Sequence, residues 1–341
     1  MSVEIKTASI EPIRQTFSHV ARRIGGDKAA SRYQEATFDL QSETNFHYRP
    51  LWDPDRDLYD KRRTAIVMRD WYAFKDPRQF YYGSYVLNRA KLQDTAENNF
   101  AFVEKQGALA GLPKGLTRRI KAILLPLRHL EYAANLNNCA ISAYGFGTAI
   151  TQATTFAMVD RLGIAQYLTR IGLLIDGNSG ESLKLAKDAW LADPVWQPLR
   201  KLVEDTLVVQ DWFELFVAQN LVIDGLLHPL VYRRFGGELS QSGGSVVAML
   251  TEFMDTWFTE SVKWVDAYVK TAAAESAENK HRLSGWVTDW TARAAEAFAP
   301  LARLMYFEDA SMALDEARAH LQARVARIGL HTQAAAKEEA A

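Results

Sequence analysis

The chain has 341 residues, 48% of them hydrophobic, enough to bury a large core in one big domain or two smaller ones. Forty Lys and Arg face 41 Asp and Glu, so no charge surplus marks a polyanion binder, and no basic stripe interleaved with aromatics offers a nucleic-acid groove. The single cysteine, Cys139, excludes an internal disulfide and suits a reducing cytoplasm.

Residues 1–16 are polar and carry no apolar run, so no signal peptide is expected. Residues 1–75 read as an extended arm: Pro12, Pro50 and Pro54 punctuate it, Gly25-Gly26 breaks it, and it has no helical or strand period. Aromatic residues crowd this arm and the segment after it. An irregular segment of that length buries itself poorly, and Trp, Tyr and Arg are enriched at subunit interfaces. Tyr48, Trp52, Tyr59, Trp71, Phe80, Tyr81 and Tyr85 are therefore expected to anchor a partner.

Helical periodicity takes over from residue 76 and holds to 330. Asp76-Pro77 has the chemistry of a helix start. Gly111, Pro113 and Gly115 mark a break, and a long helical pattern follows over 117–175 with Pro126 as a kink or boundary. Within it, 138–150 is apolar but too short to span a bilayer, and Cys139 is expected there as a small buried hydrophobe. The turn 176–180 precedes a short helix over 184–190. A helix opening at Asp193-Pro194 then runs with its continuation to about Phe235, where Gly236-Gly237 is read as a loop. Two further helices span 246–274 and 282–298, and Pro300 opens a last one to about Ile328. The tail 331–341, rich in Ala, Lys and Glu, should fray. No strand-like stretch, internal repeat or heptad seam occurs, so the class is all-α, a bundle of long helices with additional satellites.

A bundle of this size raises one specific enzyme question. Ferritin-like di-iron centres need two Glu-x-x-His pairs, because that spacing aims both ligands from one helix face at one metal. The chain contains a single Glu-x-x-His, Glu278-Asn279-Lys280-His281, and so lacks the pair that such a centre needs. P-loop, GxGxxG, HExxH, paired CxxC and GxSxG signatures are absent too, and His129 near Glu131 reads as an ordinary helix pair.

The helix opening at Leu130-Glu131-Tyr132 and the later Asp160-Arg161-Leu162-Gly163-Ile164 resemble eroded copies of the first two ligand helices of bacterial multicomponent monooxygenase hydroxylases. In the catalytic α chains of that family a Glu is followed, about thirty residues on, by Asp-Glu-x-x-His. Here Glu131 stands, Arg161 replaces the second Glu and Ile164 replaces the His. Residues 219–230 resemble the helix of the third Glu, with Ile223 or Asp224 as its counterpart depending on register. The aromatic run from Asp76 through Tyr85 to Arg89 is similar to the same region of the family's β subunits, among which the phenol hydroxylase β component (component L) and then the toluene monooxygenase β chains are nearest.

The resemblance implies a ferritin-like fold and a non-catalytic β subunit without metal, cofactor or catalytic residue of its own. It implies α and γ partners in a dimer of αβγ protomers, with di-iron in α. A reductase with FAD and a 2Fe-2S cluster would feed electrons from NADH, and a regulatory protein would gate conversion of phenol to catechol. No nucleic acid or membrane is implied, and the location would be cytoplasmic. Two other readings stay open. One is a di-iron oxygenase in its own right, built from Glu131, Asp160, Asp224, Glu252, Glu260 and His228; the other is a helical scaffold unrelated to oxygenases.

Overall fold

The computed structural model describes residues 16–26, 28–41 and 49–330. The segments holding Tyr48 and the expected frayed tail 331–341 lie outside the described residues. Among the described residues all regular structure is helical.

Two short helices, α1 (Ser18–Ile24) and α2 (Arg32–Thr37), lie in the arm. The body follows with α3 (Tyr82–Gln106), α4 (Lys114–Leu124), α5 (Leu127–Tyr144), α6 (Thr148–Ile175), α7 (Glu181–Ala192), α8 (Gln197–Thr206), α9 (Trp212–Gln241), α10 (Ser245–Glu275), α11 (Ala277–Tyr306) and α12 (Ala310–Arg327). Helices α5, α6, α9 and α10 pack as a central four-helix bundle; α11 and α12 cover its outer side and α3 lies along α10.

Several boundaries differ from the sequence expectations. The pattern over 117–175 is three helices. Pro126 separates α4 from α5, as its ring requires. Gly145-Phe146-Gly147 then turns the chain back, so the apolar run 138–150 is broken. Gly147 has φ 92°, which a side chain would strain, and a Cβ on Gly145 would meet the Ile141 carbonyl at 2.5 Å. Asp76-Pro77 opens a turn, not a helix: Asp76 accepts from the Arg78 N–H, and the helix begins at Tyr82, where the Ser84 hydroxyl accepts from the Tyr81 N–H at 3.1 Å. Gly236-Gly237 stays helical inside α9. Pro300 sits inside α11, and the next helix opens only at Ala310. Cys139 faces outward on α5 and is exposed.

The 30-residue α9 is long and apolar enough to cross a membrane, yet 94% of its most apolar window is buried inside the fold. It is the core helix around which the others pack. Two stretches of it, Val217–Ile223 and His228–Phe235, are π-helical, a wider winding that shifts the register of the side chains that follow.

Much of the arm packs on its own body. Ile66, Trp71 and Phe74 are essentially buried, and Trp71 lies against Phe146 and Trp212. Phe80 and Tyr85 are buried as well, with Tyr85 stacked on Phe156 at 4.2 Å. Trp71, Phe80 and Tyr85 are therefore core residues and not partner anchors. The irregular backbone is tolerated because helix-end side chains satisfy it. The Ala65 N–H donates to Asp211, which also caps α9 through the Phe213 and Glu214 amides. Asn279 both accepts from the Val67 N–H (3.1 Å) and donates to the Val67 carbonyl (2.8 Å). Arg69 pairs with Glu275 at 2.8 Å. Tyr59 is partly buried against the core and Tyr81 is half-buried. Trp52 remains exposed at 59%, edge-on to Tyr144 and beneath the Arg63 guanidinium.

Candidate functional site

The four bundle helices each send a polar or aromatic side chain to one buried point. Arg161 from α6 sits at the middle with no solvent exposure. Its Nη1 donates to Oε2 of Glu131 on α5 at 2.6 Å, and its Nη2 meets the Asp224 carboxylate on α9. Trp257 of α10 presents its ring face to the guanidinium, 4.3 Å from the ring centroid. His228, one turn beyond Asp224, places Nε2 3.4 Å from Nη1 and stacks on Phe258 at 4.6 Å. Tyr232, a further turn on, donates its hydroxyl to Oε1 of Glu131 at 2.9 Å. Ile164, one turn beyond Arg161, is fully buried among apolar neighbours, as is Ile223.

Further hydrogen bonds carry the polar centre across the bundle. Gln219 donates to Asp224 at 2.9 Å, and Asn137 donates to Gln219 and to Thr206. Asn138 and Asn220 exchange a reciprocal pair of amide bonds at 3.2 and 3.1 Å. Charges buried this deeply are tolerated only when paired and hydrogen-bonded. Burial pushes the Glu131 and Asp224 carboxyls above their ordinary range, against the pull of Arg161. Burial also acts to lower the Arg161 pKa, but Asp224 and Glu131 more than offset it, so the guanidinium stays charged. His228 is driven well below 6.5, chiefly by burial and then by Arg161, so its ring is neutral.

A second network begins at the neighbouring residue. Asp160 accepts from Arg89 (2.7 and 2.8 Å), from the Tyr85 hydroxyl (2.9 Å) and from the Trp257 indole N–H (2.8 Å). Arg89 also reaches Glu260 at 2.7 Å, and Arg78 joins Glu260 to Asp76. Trp257 thus joins the two networks, its face on Arg161 and its edge on Asp160.

These residues do not fit a di-iron centre. The guanidinium lies between the two carboxylates a metal would have to bridge, and the alkyl side chain of Ile164 stands where the second helix would need a nitrogen donor. The other acids that could have formed a ligand set are dispersed: Asp160 and Glu260 are held by arginines, and Glu252 is exposed. Among the described residues no group of three or more His, Cys, Asp or Glu is placed to hold a metal ion. Of the two α9 candidates, Asp224 is the one that meets Arg161, and Ile223 does not reach it as an ion-pair partner. His228, named in the di-iron alternative, lies beside Arg161, and the structure adds Tyr232, Gln219 and Trp257 to the centre. Only the i, i+4 spacing of Asp224, His228 and Tyr232 hinted at a shared face.

Of the expected interface aromatics, Trp52 stands on the rim of a cavity of about 350 Å³ with Tyr144, Leu136 and Leu207. Tyr132 and Leu136 on α5 and Val159 on α6 are exposed as well.

The chain matches the family described as Methane/Phenol/Alkene Hydroxylase over residues 52–276. It is 52% identical over 335 residues to the phenol 2-monooxygenase oxygenase component DmpL of Pseudomonas sp. (strain CF600), covering 98% of this chain and 99% of that protein. It is 25% identical over 316 residues to the hydroxylase component subunit beta of the toluene-4-monooxygenase system of Ectopseudomonas mendocina, covering 87% and 92% of the two chains. A chain in a xenon-pressurised crystal structure of phenol hydroxylase from Pseudomonas sp. OX1 superposes with a TM-score of 0.90 at 49% identity, covering 96% of this chain and 99% of that one. The family match over residues 52–276 and the similarity along nearly the whole chain to an oxygenase component lead to one conclusion: the chain belongs to the methane/phenol/alkene hydroxylase family.

Proposed function

We propose that this chain is the non-catalytic β subunit of a phenol-type multicomponent monooxygenase hydroxylase. The observation that carries the reading is Arg161 seated between Glu131 and Asp224. A cation there holds the four helices together in place of a metal, so the chain retains the bundle while giving up oxygen chemistry. The full-length likeness to a phenol 2-monooxygenase oxygenase component supports phenol as the substrate of the assembled enzyme and catechol as its product. In this reading a partner α chain holds the di-iron centre and a γ chain completes the protomer, two protomers pairing. A reductase bearing FAD and 2Fe-2S supplies electrons from NADH, a regulatory protein gates turnover, and the assembly works in the cytoplasm. The arm divides its labour: residues near 64–74 strap the body, while the segment around Trp52 faces the partner.

The test compares the isolated chain with the co-expressed complex. The chain alone should bind no stoichiometric iron and hydroxylate no phenol even with reductase, regulatory protein and NADH supplied. The complex should contain iron and turn over. Two irons per isolated chain, or phenol oxidation by it, would overturn the assignment.

A further inference from the structure

Residues 49–63 hold only one short 3-10 turn, Lys61–Arg63, yet the segment is locked from within by Arg63, whose side chain is 5% exposed. Its Nε donates to the Asp57 and Leu58 carbonyls at 2.9 and 3.0 Å, Nη1 to the Asp53 carboxylate at 2.9 Å and Nη2 to the Arg56 carbonyl at 3.2 Å. The guanidinium also lies over the rings of Trp52 and Tyr144, 5.2 and 5.7 Å from their centroids. A loop fixed in this way has little freedom left to lose on binding. It nevertheless leaves Leu51 98% exposed beside the open ring of Trp52, an exposure that gives the chain's own fold nothing.

The cavity of about 350 Å³ beside Trp52 lies between this loop, α5 and the connection from α8 to α9. Its walls include Leu136, Ala140 and Leu207, and Leu136 and Leu207 are themselves exposed, so the space is reached from solvent. Its charged lining residues are both cations, Arg56 and Arg63. Arg63 is committed to the loop, whereas the Arg56 side chain is 39% exposed. The same bias holds around the cavity. In each of three ion pairs of the loop the arginine is more exposed than its acid: Arg49 over Asp57, Arg56 over Asp53 and Arg62 over Asp60. Asp55 is the one exposed acid of the segment. An apolar socket with a cationic rim suits an apolar side chain accompanied by carboxylates. A small molecule in the socket would leave Leu51 and Val208 (69% exposed, between two lining residues) bare, whereas a polypeptide crossing the socket covers both.

We propose that this cavity is the socket for one large apolar side chain of a partner chain of the hydroxylase, flanked in that chain by carboxylates that meet Arg56 and Arg62. The inference rests on the reading of this chain as a β subunit and adds what the partner must present.

The full chain is co-expressed with its α and γ partners, and the affinity of assembly is measured beside the far-UV signal and thermal midpoint of the isolated chain. Ala140→Trp fills the socket from α5 and leaves the loop untouched; it should weaken assembly by about tenfold or more while the isolated chain stays folded. Leu207→Glu and Leu207→Lys change an exposed rim position, so folding is not at stake. The acidic variant should weaken assembly several-fold more than the basic one, because the partner's carboxylates repel it. Arg62→Glu should weaken assembly and flatten its dependence on NaCl. Parent affinity in folded Ala140→Trp, or equal effects of Leu207→Glu and Leu207→Lys, would overturn the proposal. So would saturable phenol binding to the isolated chain that Ala140→Trp abolishes without touching assembly, since the cavity would then be a small-molecule site. Failure of the parent chain itself to assemble would instead overturn the β-subunit reading, and this inference with it.

Discussion

The Arg161 guanidinium lies 4.3 Å from the ring centroid of Trp257, so the cation at the middle of the bundle has its two acids in front and an aromatic face behind. That arrangement makes the side chains interdependent. Arg161→Met would leave Glu131 and Asp224 buried without a counter-charge, and stability should fall by about 3–5 kcal/mol. Replacing all three together by apolar residues of similar volume should recover most of the loss. Urea denaturation of the single and triple variants checks both, and a loss below about 1 kcal/mol for Arg161→Met would mean that the cluster is far less coupled than its geometry implies.

Glu131→Gln separates structure from chemistry. The amide keeps a hydrogen-bonding group opposite Tyr232 and Arg161, and burial already disfavours the charged carboxyl. Turnover per assembled complex should stay within about twofold of the parent, since no reacting atom is touched. A hundredfold fall in that quantity, with assembly and iron content normal, would place the residue in the chemistry.

Acid should weaken the fold through two histidines. His129, stacked on Trp190, has its pKa pushed down to about 4 by burial and then by Arg128 and Lys187; His228 lies well below 6.5. Both are neutral in the fold and take up a proton on unfolding, so their contribution is present above pH 6.5 and is lost as pH falls toward 4. Denaturant midpoints between pH 7 and 4.5 should fall steadily, and His129→Gln should make the slope shallower. An unchanged slope in that variant would show that His129 titrates alike in both states.

The aromatics of the arm should divide by burial. Trp71→Ala removes a core ring and should destabilise the isolated chain by about 3–5 kcal/mol. Trp52→Ala should leave that stability nearly unchanged and lower the yield of complex instead, by about 2 kcal/mol of assembly energy if the ring is an anchor. Denaturation curves and co-purification with the partner chains distinguish the two. Equal effects on isolated-chain stability would remove the distinction.

The residue pattern makes the helical class and the lack of a pair of Glu-x-x-His motifs legible, because periodicity and short spacings are local properties. It also places Glu131, Arg161 and Ile164 on the two helices that resemble the family's first ligand helices. Which acids Arg161 meets follows from how the helices pack. Asp224 lies 63 residues beyond Arg161, and its register on α9 depends on π-helical turns that leave no clear pattern in the residues. The same holds for Trp257, whose ring looks like any core aromatic until α10 packs against α6. The arm misled for a related reason. Its lack of periodicity concealed that Asp211, Asn279 and Glu275, more than a hundred residues away, satisfy its backbone and side chains and draw Trp71 and Phe74 into the chain's own core. Long-range hydrogen bonds of this kind arise only when helix ends meet in space, so no local feature of the chain encodes them.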